Sequence, residues 1–312
     1  MDPSIDQAIA ALAEDTVSGA AAISERAADV LVRRACTGEA ASPDAFRQEL
    51  LATGWALIQA QPAIAPIVNL VNAVLWRLER EETPARLRQA VIEATDQFKH
   101  QMKQHKLQVA EEALGLISEN STIVTMTYSS TVQHALLHAQ RAGRHFSVIC
   151  AESRPTYEGR DTAEKLASYG IPVTLMVDVA VVVAVADVQL VLVGADMLTN
   201  TGVISKVGTR ALALAAQQKG VPLYSLCSSK KFLPSGFNAP AQKERSPEIV
   251  WPDAPSSVRV CNHFTDVTPL HEFTGIVTEQ GIMPAASIEA WFAATKTHPA
   301  LAAPAAVEAR TW

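Results

Sequence analysis

The chain has 312 residues, 48% of them hydrophobic and 19% charged, with a formal net charge of −6. That balance suits a packed core, excludes a disordered chain, and leaves room for two domains. The negative charge argues against nucleic acid as a partner, because phosphate backbones select basic surfaces; a local basic pocket remains compatible with it.

In chain order, the first residues, MDPSIDQAIA, are acidic where a secretory leader would be basic. The longest apolar run, Val177–Val185, is broken by Asp178 and falls short of the ~18–20 residues a membrane span needs. A cytoplasmic protein with no membrane partner is expected. From Ile5 to about Ile117 the pattern is helical, with one break bracketed by Pro62 and Pro66. A second break falls at Thr83-Pro84, which reads as an N-cap followed by proline at the first helical position. Leu87, Val91, Ala94, Phe98, Met102 and Leu107 then recur at roughly helical spacing over Ala85–Ile117. Residues 1–118 are therefore expected to form a helical domain.

Beyond Ser121, β-branched runs alternate with helix-like segments. The expected strands are Thr122–Thr127, Phe146–Ala151, Pro172–Val177, Leu190–Val193 and Pro222–Leu226; the expected helices are Thr131–Ala142, Asp161–Tyr169 and Lys206–Lys219. Strands apolar on both faces that alternate with helices predict an α/β domain over 119–312, with a Rossmann-like parallel sheet whose ligands lie beyond the carboxyl ends of the strands. An Ala/Pro-rich tail follows Pro299.

The segments at those ends carry the polar chemistry. Thr127-Tyr128-Ser129-Ser130 opens a helix, and its hydroxyls either bind an anion or cap the helix. Arg154 and Glu158 follow the second strand; an arginine fork suits phosphate, and a surface ion pair is the alternative. Gly194-Ala195-Asp196 follows the fourth, and a carboxylate emerging there can act as general acid or base, or brace its loop. Ser205 and Lys206 come next, with Lys206 expected near a helix start where it would face a phosphate. Cys36, Cys150, Cys227 and Cys261 form no Cys-x-x-Cys pair, so neither zinc site nor disulfide framework is indicated. His134 and His138 are four apart without an accompanying acidic base and read as a helix face. No metal and no cofactor are expected.

Taken in order, these blocks resemble the alpha/beta/delta subunits of initiation factor 2B and the sugar-phosphate isomerases that share their superfamily. The resemblance rests on VLVGADMLTNTGVISKVGTRALALAA, on ESRPTYEGRDTAEKLASYGIPVTLMVD before it, on Phe264–Pro269 with Thr278-Glu279-Gln280-Gly281, and on Val17-Ser18-Gly19-Ala20-Ala21 near the start. It implies homodimers or larger assemblies through the C-terminal domain and a bound phosphorylated small molecule. It also implies that Asp196 matches the isomerases' catalytic aspartate, Lys206 a phosphate-side lysine, Arg154 the arginine of the loop after the second strand, and Gly19 and Ala20 the N-terminal loop. Four positions depart from the isomerase pattern: Thr127 for the catalytic cysteine, Glu158 for a glutamine, Ser205 for an asparagine, and Gln61 for an arginine before proline. Thr127 and Glu158 look more like the regulatory subunits. The primary expectation is a regulatory protein binding a sugar phosphate or nucleoside monophosphate; the alternatives are an aldose–ketose isomerase using Asp196 and a subunit with a vestigial pocket.

Overall fold

The computed structural model describes residues 3–15, 18–38, 40–237, 244–284, 288, 292 and 296–302. Two compact units emerge: Met1–Lys103 with Lys230–Gln242 and Ala290–Trp312, and Gln104–Ser229 with Lys243–Glu289. The division falls inside one long helix, where the sequence reading places a single boundary after residue 118.

The first unit holds α1 (Pro3–Glu14), α2 (Ala20–Thr37), α3 (Pro43–Ala60), α4 (Ala65–Leu78) and the start of α5 (Pro84–Leu114). Local chemistry sets the starts. Ser42 Oγ accepts from the Ala45 N–H at 3.2 Å ahead of Pro43, and Thr83 Oγ1 accepts from the Arg86 N–H at 3.3 Å ahead of Pro84, each satisfying an amide with no intrahelical partner. The break before α4 is shorter than the two prolines suggest. Pro66 sits in the first turn of α4, where its missing N–H costs nothing. Leu31, Phe46, Leu57, Ile67, Leu70 and Leu87 form part of the buried core.

In the second unit a seven-stranded sheet runs in the order β10-β9-β7-β4-β1-β2-β3. Its strands are β1 (Ser121–Thr125), β2 (Phe146–Ala151), β3 (Val173–Met176), β4 (Leu190–Val193), β7 (Leu223–Leu226), β9 (Gly275–Thr278) and β10 (Gly281–Met283). All neighbours pair in parallel except β10, which turns back on β9. The helices α6 (Ser130–Arg141), α7 (Glu158–Ser168), α8 (Asp178–Ala184) and α9 (Thr209–Lys219) supply the crossovers, and Ile123, Val148, Leu192, Leu136 and Leu166 are among the buried residues between them. Gly159 lets α7 start hard against β2, since a Cβ there would lie 1.8 Å from the Ala151 carbonyl oxygen.

The departure from expectation lies between β4 and α9. Residues 203–206 form a strand rather than the start of a helix: β5 (Met197–Leu198), β6 (Val203–Lys206) and β8 (Thr265–Thr268) make a separate antiparallel sheet. Val203 and Ile204 favour a strand once a partner is present, and that partner, β8, lies about sixty residues further on. Gly208, at φ +100°, then turns the chain into α9.

Candidate ligand site at the strand ends

Strand order reverses between β1 and β4, where the carboxyl ends of an open α/β sheet form a crevice. The turns leaving these two strands are pressed together. A Cβ on Gly194 would stand 2.4 Å from Ser129 Oγ, so only glycine fits. The hairpin folds back over the same place: Ser205 donates its hydroxyl to the Gly194 carbonyl at 3.0 Å, and the Asp196 N–H donates to the Ile204 carbonyl at 2.9 Å. Half-buried Asp196 thus belongs to a turn held by its own hairpin.

Beside it sits a charged cluster. Lys206, 5% exposed, donates from Nζ to Glu158 Oε1 at 2.6 Å and to Thr156 Oγ1 at 3.2 Å. Thr127 Oγ1 donates to the same Glu158 oxygen at 3.2 Å, and the Thr156 hydroxyl donates to the other. The ammonium also lies over the Phe264 ring, 5.2 Å from its centroid. A buried ammonium needs such a set, because leaving water without a partner costs several kcal/mol. Glu158 opens α7, where the helix dipole favours a carboxylate.

The backbone around the cluster is strained. Thr127, Ser153 and Tyr157 all have φ near +60°, a region that side-chain-bearing residues enter only when their surroundings dictate it. Ser153 Oγ accepts from the Thr127 N–H at 2.7 Å, while Asp178 takes the N–H groups of Ser153 and Arg154, each at 2.7 Å. Asp178, which in the sequence only interrupts an apolar run, is therefore the brace of this loop.

The remaining candidates separate. Ser129 caps α6, accepting from the Val132 N–H at 3.3 Å, and Ser130 is the first residue of that helix. The Arg154 guanidinium turns to the Tyr157 hydroxyl and to the Val250 carbonyl at 3.2 Å. Lys206 does not stand at the start of α9. A carboxylate does: Asp266 Oδ2 accepts from the N–H groups of Gly208 at 2.8 Å and Arg210 at 3.2 Å. Burial pushes the Asp266 pKa up, against those two hydrogen bonds.

In the helical unit, Gly19 is the N-cap residue of α2 and Ala20 its buried first residue, whereas Val17 lies outside the described residues. Gln61, 4% exposed, donates its amide to the carbonyls of Leu12 at 2.6 Å and Asp15 at 2.9 Å, tying α1 to the end of α3.

Sequence reasoning passed over Thr156, Asp178 and a group at the ends of β7 and β9. There His105 Nδ1 lies 2.9 Å from Ser228 Oγ and 3.3 Å from Glu279 Oε1. Both contacts reach the same ring nitrogen, so the group lacks the Ser–His–acid geometry of a nucleophilic triad. No spacing signal joins residues 105, 228 and 279. Burial pushes the Cys150 thiol up to about 12, which leaves it unreactive.

A sheet in the order β3-β2-β1-β4-β7-β9, with helices between its parallel strands, defines a Rossmann-type α/β fold. The Initiation factor 2 subunit family model matches residues 16–285, and the chain belongs to that family. It is 32% identical over 279 residues to the ribose 1,5-bisphosphate isomerase of Haloferax volcanii, covering 87% of this chain and 86% of that protein. Among solved structures, the translation initiation factor eIF-2B of Pyrococcus horikoshii superposes with a TM-score of 0.79 at 25% identity, covering 91% of this chain and 98% of that one. The 5-methylthioribose 1-phosphate isomerase of the same organism gives 0.73 at 23% identity, covering 93% and 87%, and shows the shared fold. Among the described residues no helix is long and apolar enough to cross a membrane.

Proposed function

We propose that the protein binds a phosphorylated ribose at the β1/β4 switch point and isomerises it from ring-form aldose 1-phosphate to open-chain ketose. The observation that carries this reading is the joining of the Asp196 turn to the Thr127–Glu158–Lys206 cluster through adjacent residues of β6, Ser205 and Lys206. The Haloferax relative makes ribose 1,5-bisphosphate the first substrate to try.

In this mechanism Asp196 serves as general acid, giving a proton to the ring oxygen as the bond from C1 to that oxygen opens. Its carboxylate then removes the proton on C2, giving an enol phosphate. Protonation at C1 and loss of the C2 hydroxyl proton complete the ketone, with no change in composition. Lys206 supplies charge to a phosphate oxygen, while Glu158 and Thr127 engage sugar hydroxyls.

The test is incubation with ribose 1,5-bisphosphate followed by carbon NMR for a ketose signal. Asp196→Asn is expected to lower turnover by about 10²–10⁴-fold; unchanged turnover would remove Asp196 from the mechanism.

A second reading draws on Glu158 itself. Its carboxylate offsets the Lys206 charge, and a threonine hydroxyl lacks the reactivity of the thiolate that the isomerase resemblance calls for. Binding of a sugar phosphate or nucleoside monophosphate without turnover, in a regulatory role, is then the function, and tight calorimetric binding with no ketose signal would select it.

Self-assembly through the sheet unit belongs to the same proposal. Val179 and Val183 on α8 are each 75% exposed, with Val177 and Leu175 nearby in sequence and also exposed, an apolar set suited to burial against a second copy. Sedimentation is expected to give a multiple of the chain mass; a monomer at micromolar concentration would refute it.

A further inference from the structure

The charge that the strand ends offer a ligand is set by one residue, Glu158. An ammonium carries three N–H donors, and Lys206 Nζ gives two of them to Glu158 Oε1 at 2.6 Å and Thr156 Oγ1 at 3.2 Å. The carboxylate is well supplied in turn. The Thr127 hydroxyl reaches the same oxygen at 3.2 Å, and the Thr156 hydroxyl reaches the other. Lys206 and Glu158 are 5% and 9% exposed, so dissolved salt screens their attraction little. As a pair they are neutral.

That neutrality conflicts with a phosphate. A phosphate oxygen accepting from Nζ at about 2.8 Å can lie no further than about 5.4 Å from Glu158 Oε1, because Nζ and that oxygen are 2.6 Å apart. Two anions at such a separation in a buried setting each disfavour the other's ionised form. The other charged groups around the cluster have contacts of their own. Arg154 turns to Tyr157 and Val250, Arg160 pairs with Glu152 at 3.1 Å, and Arg245 lies over the Phe264 ring, 5.6 Å from its centroid. Asp178 holds amides of the loop after β2, and Asp266 holds those at the start of α9. Asp196 is tied into its hairpin turn.

A proton removes the conflict. The protonated carboxyl keeps an oxygen that accepts from Lys206 and Thr127, and it gains an O–H to donate. The Thr156 hydroxyl can turn to accept that O–H, since a hydroxyl is both donor and acceptor. Lys206 then presents its full charge to the phosphate. The glutamine of the isomerase pattern would offer the same acceptor with no proton to gain.

We infer that Glu158 competes with the ligand's phosphate for Lys206, so that phosphate binding takes up one proton at Glu158 and weakens as pH rises. The inference rests on the proposed role of Lys206 as the phosphate ligand. Calorimetry with ribose 1,5-bisphosphate tests it, on the full-length protein in an Asp196→Asn background. That background removes both turnover and the neighbouring carboxylate from the proton count. Titrations at about pH 7 in PIPES and in imidazole, which differ in ionisation enthalpy, should show about one proton more taken up per site than in the added variant Glu158→Gln. That variant should bind at least about tenfold more tightly at about pH 7, and the two affinities should converge as pH falls to about 5. Lys206→Met should weaken binding at least about tenfold. No proton uptake with Glu158 intact would overturn the inference whether or not the glutamine variant folds. Uptake that survives Glu158→Gln, or no tightening in that variant, would overturn it too, while a loss of affinity in Lys206→Met would leave the phosphate reading standing. Equal binding by Lys206→Met, or no binding up to about 1 mM, would overturn both.

Discussion

The two units handle positive charge in opposite ways. In the sheet unit, Lys206 is buried and held by Glu158, Thr156 and the Phe264 ring. In the helical unit, Arg77 and Arg80 line an open cavity, with Arg77 half-buried and Arg80 exposed. A buried ion survives only if its partner is built in, so Lys206 is part of the fold as well as of the candidate site. An exposed guanidinium such as that of Arg80 costs little to maintain and contributes little to stability.

Removing a partner sharpens the contrast most. Glu158→Ala removes the carboxylate from the Lys206 ammonium and leaves it the Thr156 hydroxyl, and a loss of about 3–5 kcal/mol is expected in urea unfolding. Arg80→Ala, on the exposed side, should stay within about 0.5 kcal/mol. Equal effects would mean that the ion pair is no more structural than a surface residue.

The smallest expected effect is a pH dependence. Burial raises the Asp266 pKa above its ordinary 3.8, so the native state holds this proton more tightly than the unfolded chain. The stability this group contributes is fully present below its unfolded value and is lost as pH rises through the raised native value. Asp266→Asn should remove that decline, and comparing the two proteins' unfolding free energies between about pH 4 and 6 measures it. Identical slopes would mean that the two N–H donors from Gly208 and Arg210 fully offset the burial.

The Asp266 result bears on what a sequence can show. The glycines and lysine around α9 suggested a helix start open to phosphate, yet the anion there is supplied by β8, from a segment with no local link to it. Asp178 is a similar case. Along the chain it interrupts valines; in the structure it holds the loop after β2 through two amides. Arg154, read as a phosphate ligand, spends its guanidinium on Tyr157 and Val250. The hydrogen-bond partners of these three positions depend on loop paths that periodicity does not encode. The helical unit was more legible. Its cap at Thr83 and its long α5 follow from local signals alone.

The sequence by itself determined the alternation of strands and helices, the limits of β2 and β4, the start of α5, and membership of the family. These follow from interactions a few residues long: the spacing of apolar residues and a hydroxyl before a proline. Tertiary structure alone decided that Lys206 is a strand residue, that its charge is offset by Glu158, and that Gln61 ties two helices together. Each of those outcomes needs a partner tens of residues away, brought close by a chain reversal that no local propensity specifies.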